Sequence, residues 1–128
     1  MDVGESVTVD VDSRQQWTDT GVQMHLGEQY ELTATGRWSD REYESDAGGY
    51  ESKNALQRLT GWLRRHRTAR WFALIGALSQ DKNTQFVIGV GTTYRPTTAG
   101  VLTCFANDVS FMRGNNHGSI SLTVRRVS

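Results

Sequence analysis

The sequence predicts an all-β protein, a single-domain β-sandwich spanning residues 1–128. Three observations carry that expectation. Apolar and polar residues alternate with period two in most of the regular segments. Those segments are short and separated by Gly, Asn, Asp, Ser and Thr, with 13 glycines and one proline in the chain. The length of 128 residues suits one domain with a sizeable core.

Taken in order, Glu5–Val11 alternates and reads as a half-buried strand, and Thr20–His25 alternates before a turn at Leu26-Gly27-Glu28. Tyr30–Trp38 places Tyr30, Leu32, Ala34, Gly36 and Trp38 on one face. The acidic stretch 40–52, with Ala47-Gly48-Gly49, reads as a loop. Phe72–Leu78 is apolar almost throughout, and period alone does not separate a buried strand from a short helix there. Gln85–Val90, Gly100–Ala106 and Gly118–Val124 complete seven candidate strands. Many short strands with glycine-rich turns favour a sandwich.

One segment has a different period. In Lys53–His66, Ala55, Leu56, Leu59, Trp62 and Leu63 recur at helical spacing, with Arg58, Arg64 and Arg65 largely opposite. This predicts one short amphipathic helix, in an insert lying on the sandwich.

Composition excludes several classes of function. The longest apolar run, Trp71–Leu78, is far short of the ~20 residues that span a membrane. The start, Met1-Asp2-Val3-Gly4-Glu5, has no basic and apolar leader, so the expected location is the cytoplasm or outside the cell by a route without a conventional signal peptide. The one cysteine, Cys104, rules out an internal disulfide and a thiolate zinc cage, and its apolar strand predicts a small buried hydrophobe. The formal net charge is zero, yet residues 1–52 carry −9 and residues 53–128 carry +9. Such asymmetry suits either a nucleic-acid surface or two halves that pair their charges on folding; a zero total argues against nucleic acid. The basic stretch Arg64–Arg70 beside Trp71 and Phe72 has the same two readings, a backbone-tracking groove or a solvated helix end that meets the acidic loop.

Catalytic signatures are missing: there is no phosphate loop and no Gly-x-Ser-x-Gly elbow, and His25, His66 and His117 lack metal-ligand spacing. The expectation is a binding protein, not an enzyme; a hydrolase would need a histidine, such as His117, beside Asp108 in a cleft. The informative stretch is Phe105–Ser119, between two convincing strands. It offers Asn107, Asp108, Asn115 and Asn116, a carboxylate and three amide carbonyls, with Gly114 and Gly118 to permit an irregular turn. Ca2+ takes 6–8 oxygens of this kind. Asn, Asp and Gly are also ordinary turn residues that bond their own backbone, and spacing does not choose between the two readings.

The run Phe105-Ala106-Asn107-Asp108 followed by Gly114-Asn115-Asn116-x-Gly118-Ser119 and an alternating strand resembles the calcium-dependent galactophilic lectins of bacteria, the PA-IL-like family. Thr20-Gly21-Val22, Ala34-x-Gly36-x-Trp38, Ile75-Gly76 and Phe86-x-Ile88-Gly89 extend the resemblance over about residues 5–125, with the specificity concentrated at 105–119. The resemblance implies a galactose-binding-domain-like sandwich that binds a galactose-type carbohydrate through Ca2+. By position it assigns the metal to the side chains of Asp108, Asn115 and Asn116 and to the carbonyl of Met112. A second carbonyl is expected just after Trp38, at Asp40 or Arg41, with Arg41 taken as the ligand. Asp108, Asn115 and Asn116 are also expected to bind sugar hydroxyls. The family's sugar-contacting His and Gln match the stretch 41–68, where Gln57 and His66 are the candidates. Ser110-Phe111 stands where the family has Pro-Gly. A homo-oligomer is expected, through Trp62, Trp71, Phe72 and the opposed charges of 40–51 and Arg64–Arg70. The alternative is a structural or protein-interaction sandwich that has lost the sugar site.

Overall fold

The computed structural model describes all residues except 41–42, 53–56, 58–63 and 109–115. Its strands are β1 (Ser6–Asp12), β2 (Thr18–Met24), β3 (Tyr30–Thr35), β4 (Trp38–Asp40), β5 (Tyr43–Ser45), β6 (Leu74–Leu78), β7 (Phe86–Val87), β8 (Gly91–Tyr94), β9 (Gly100–Ala106) and β10 (Asn116–Arg126). They form two antiparallel sheets, as a β-sandwich requires. One holds β5, β4, β10, β3 and β8, with β1 also paired to β10; the other runs β2-β9-β6-β7.

The 11-residue strand β10 organises the larger sheet. Ile120, Leu122 and Val124 point inward and are fully buried, while the Ser and Thr residues between them face outward. One edge of β10 pairs with β1, from Asp12↔Ser119 to Ser6↔Arg125. The other edge pairs with β3 at Ser121↔Thr35 and with β4 at Gly118↔Trp38 and Asn116↔Asp40. These last two strands share one register along β10, so the single strand expected over 30–38 is interrupted only at Gly36-Arg37. Gly36 has φ +103°, a backbone that side chains rarely adopt. Tyr30, Leu32, Ala34 and Trp38 all face the core, as their alternation predicts.

The smaller sheet contributes Val22, Met24, Leu74, Leu78, Leu102 and Cys104 to the same core. Cys104 is fully buried, and burial pushes its thiol well above the usual range. β6 is buried at every position, because its other face lies under a second cluster of Ala69, Ala73, Ile75 and Phe105, with Trp17 packed against it. That explains the missing alternation in Phe72–Leu78. Arg65 stacks over this cluster, 3.6 Å from the Phe105 ring centre and 4.7 Å from that of Trp17.

Several expectations need correction. Residues 40–52 are not simply a loop: β5 pairs back on β4, and Ala47 and Tyr50 are buried. Gln85–Val90 is not one strand. It pairs with β6 only at Phe86–Val87, turns at Gly89, and β8 then joins β3 in the opposite sheet. The stack of Phe86 on Tyr94, at 3.7 Å, closes the sandwich where the chain crosses over. The helix expected over 53–66 lies mostly outside the described residues; within it Gln57 has helical backbone. Trp71 and Phe72 are buried inside the chain, so they form no surface for assembly, and Trp62 is outside the described residues. Arg70 meets Glu51 of the same chain at 3.7 Å, and Arg126 meets Glu28 at 3.3 Å, so the acidic and basic halves do pair within the fold.

One hydrogen bond joins the sheets through the core. Trp38 Nε1 donates to the Phe72 carbonyl at 3.0 Å, with both residues buried. Phe72 has φ +61°, a costly backbone for a bulky residue, and its N–H donates in turn to the Asn107 carbonyl at 2.8 Å. Replacing Trp38 by Phe keeps an aromatic ring but leaves a buried carbonyl without its donor. Urea unfolding of Trp38→Phe is expected to show a loss of about 1–3 kcal/mol with an unchanged slope; a loss of only a few tenths would mean that solvent or another donor replaces the indole.

Candidate functional site

The site candidates converge where three chain ends of the sandwich meet. β9 delivers Asn107 and Asp108 immediately past its last residue, β10 begins at Asn116, and β4 ends at Asp40. Asn107, Asp108 and Asn116 are all at most 2% exposed, which is unusual for such polar side chains. Each therefore has to be accounted for by its partners.

Asn107 is fully used as a clamp. Its Oδ1 accepts from the His66 N–H at 2.8 Å, and its Nδ2 lies 2.9 Å from the His66 carbonyl, 3.2 Å from that of Ala69 and 2.9 Å from that of Arg70. The Asn107 N–H donates to the Ala73 carbonyl. One side chain thus pins residues 66–70 against the end of the smaller sheet. Asn107, weighed from sequence only as one more oxygen near Asp108, is structural.

Asn116 differs. Its Nδ2 donates to the Ser13 carbonyl at 2.8 Å, while its Oδ1 is buried with no hydrogen-bond partner among the described residues. Ser13 is itself held by Gly118, through both its N–H and its hydroxyl. The amide is therefore fixed, with its oxygen turned away from Ser13. Directly across the ladder stands Asp40, the Cα partner of Asn116. Cross-strand partners project from the same face of a sheet, here the inner face that Trp38 also occupies.

Tyr50 links this pair to Asp108. It lies in the segment read as a loop, and its N–H donates to the Trp71 carbonyl at 2.8 Å. Gly49 makes that approach possible: a Cβ there would sit 2.3 Å from the same carbonyl oxygen. The Tyr50 hydroxyl lies 3.5 Å from Asp40 Oδ2 and accepts from Gln57 Nε2 at 3.0 Å. Burial first, and then the negative charge of Asp40, push this phenol well above its ordinary value; Gln57 opposes the shift and Asp108 adds to it. Two carboxylates therefore act on one buried hydroxyl.

Of the expected site residues, the structure places Asn116 across the ladder from Asp40 and links Gln57 to Asp40 through the Tyr50 hydroxyl, with Asp108 buried just past β9. Arg41, Met112 and Asn115 lie outside the described residues. His66 is placed by its backbone, held at both N–H and carbonyl by Asn107, while its Nδ1 lies 3.4 Å from the Thr68 hydroxyl. His117 points outward on β10, one residue from buried Asn116. Tyr50 and the Asp40 carboxylate were missed from sequence; Gly48-Gly49-Tyr50, an aromatic after a glycine pair in an acidic stretch, was the available signal. Among the described residues, no three His, Cys, Asp or Glu side chains gather as a metal cluster. The oxygens that Asp40, Asp108 and Asn116 carry, two carboxylates and an amide carbonyl, are of the hard kind that could hold Ca2+ more readily than a soft metal.

No family model matches the chain, and no curated protein matches it. Among solved structures, the EclA N-terminal domain, a PllA-like lectin, superposes with a TM-score of 0.69 at 22% sequence identity, over 93% of this chain and 94% of that one. At this identity the likeness establishes the fold, a lectin-like β-sandwich.

The clamp is testable apart from any ligand. Asn107→Ala removes every polar contact of the side chain and takes away the amide donor of the buried Ala69 carbonyl and the acceptor of the His66 N–H. In calcium-free buffer it is expected to lower stability by about 2–4 kcal/mol in urea unfolding, and a near-neutral result would mean that residues 66–70 are held by something else. The buried phenols give a second expectation. Tyr50, Tyr94 and Tyr30 are all raised above 10.0, chiefly by burial. Stability from such groups is intact below the unfolded value and lost as pH rises past it. Thermal melts should therefore drop sharply above about pH 10, with most tyrosinate absorbance arriving with unfolding and not ahead of it.

Proposed function

We propose that this protein is a carbohydrate-binding module that holds Ca2+ at the end of its sandwich and uses the ion to bind vicinal hydroxyls of a galactose-type sugar, with no chemical step. The observation that carries this reading is the buried Oδ1 of Asn116, fixed by the Ser13 carbonyl on the other side of its amide and without a hydrogen-bond partner among the described residues. A buried polar oxygen costs free energy unless something pairs with it. Asp108, buried just past the end of β9 in the opposite sheet, carries a formal negative charge. A divalent cation would pair with the Asn116 oxygen and be attracted by the Asp108 charge.

In this reading Asp108 and Asn116 hold the ion from the two strand ends, and Asn115 and the Met112 carbonyl do so from the stretch between them. Ca2+, when bound, supplies a centre that accepts sugar hydroxyl oxygens. Asp108 contributes charge and accepts a hydrogen bond from a sugar hydroxyl. Asn116 orients its oxygen through the Ser13 contact. Gln57, whose Nε2 donates to the Tyr50 hydroxyl, is the candidate in this reading for a sugar contact. The lectin neighbour and the family resemblance at 105–119 support the same reading from outside the site.

The deciding variant is Asp108→Asn, which removes a formal charge at nearly constant volume. Calorimetric titration is expected to show Ca2+ binding to the wild type and a fall of at least tenfold in affinity for the variant, with galactose binding lost in parallel. Melts in chelator should be nearly the same for the two proteins. If instead the variant loses equal stability with and without Ca2+, Asp108 is a turn residue, and the interaction-domain alternative stands.

A further inference from the structure

We infer that Asp40 contributes its side-chain carboxylate, and not merely its backbone, as a second anionic group of the Asp108–Asn116 site, so that the site carries two formal negative charges toward its cation. This rests on the cation-binding reading above and goes beyond it: a site with two carboxylates selects by ion charge more steeply than a site with one.

The register carries the argument. Asp40 is the Cα partner of Asn116 in the β4–β10 ladder. The two side chains therefore project from the same, inner face of the sheet. Asn116 is completely buried, and its Oδ1 has no hydrogen-bond partner among the described residues, so an unsatisfied oxygen lies on the face that Asp40 shares. Asp40 is half-buried, and its carboxylate reaches inward along that face, where Oδ2 lies 3.5 Å from the hydroxyl of buried Tyr50. Tyr50 is held in turn by Gln57 at 3.0 Å. A multivalent cation held at the Asn116 oxygen would be attracted by a carboxylate projecting from the same face of the ladder.

The test compares Ca2+ with La3+, a trivalent ion of similar coordination preference, by calorimetry on the wild type and on Asp40→Asn. Asparagine keeps the volume of aspartate and its strand backbone; melts in chelator check that the fold is retained, and Asp40→Ser replaces it if they differ. The attraction of a carboxylate scales with the charge of the ion. The expected result is that Ca2+ affinity falls at least tenfold in the variant and that La3+ affinity falls by a larger factor, so the preference for La3+ over Ca2+ shrinks. Equal losses for both ions would mean that Asp40 only shapes the site, and unchanged Ca2+ affinity would mean that it faces no ion; either result overturns the inference while leaving the cation site in place. A wild type that binds neither ion removes the cation reading itself and this inference with it.

Discussion

The structure depends on the register of β10. This strand is paired along both edges, by β1 on one side and by β3 and β4 in series on the other. Because side chains alternate across a sheet, one register fixes every inward and outward position at once. The positions that bury Ile120, Leu122 and Val124 also bury Asn116, two turns of the alternation further toward the strand's start. A slip by one residue would turn Asn116 to solvent and bring His117 into the interior, along with the polar residues that now face water. The same apolar burial that stabilises the sandwich therefore holds a polar amide in place at its end. Asp40 follows from the same ladder, since β4 continues the register of β3 past the break at Gly36.

The end of the sandwich is held by polar groups where apolar contact runs out. Asn107 gathers the backbone of residues 66–70, Trp38 reaches the carbonyl of Phe72, and Tyr50 bonds to the carbonyl of Trp71. Each of these groups satisfies backbone that leaves the regular ladder and would otherwise be buried without partners. The consequence is a rigid frame around Asp108 and Asn116. Surface ion pairs contribute much less: the Arg70–Glu51 contact is long and both side chains are well exposed. Their significance is in showing how a chain with strongly opposed halves reaches electrical balance within one fold.

A buried oxygen without a hydrogen-bond partner among the described residues distinguishes Asn116 from the residues of an ordinary turn. A turn built from Asn, Asp and Gly saturates its own side chains with nearby backbone. Asn107 and Asn116 come from the same composition and behave oppositely. Both ends of the Asn107 amide are spent on the chain, whereas Asn116 spends its nitrogen and keeps its oxygen buried without a partner among the described residues. The difference lies in where each strand ends: β9 hands Asn107 to a chain segment crossing over it, and β10 starts Asn116 opposite β4.

By itself the sequence determined the sandwich, the inward face of Tyr30–Trp38, the inward face of Gly118–Val124 and the burial of Cys104. Period-two alternation records burial on one face, and it is local, so it can be read without knowing any partner. Alternation fails where both faces are covered, as in β6, or where a strand lasts two residues, as in β7. For the same reason the β4–β5 hairpin stayed hidden within an acidic stretch: its three-residue strands are set by pairing, β4 with β10 and β5 with β4, not by their own pattern. Tertiary structure alone decided that Asp40 faces Asn116, that Tyr50 and Gln57 stand beside them, and that Asn107 is a clamp and not a ligand. Those facts join residues up to 76 positions apart, from Asp40 to Asn116. No residue type announces such a neighbour in advance, because strand register is settled by the sum of all the burial and hydrogen bonding along the ladder.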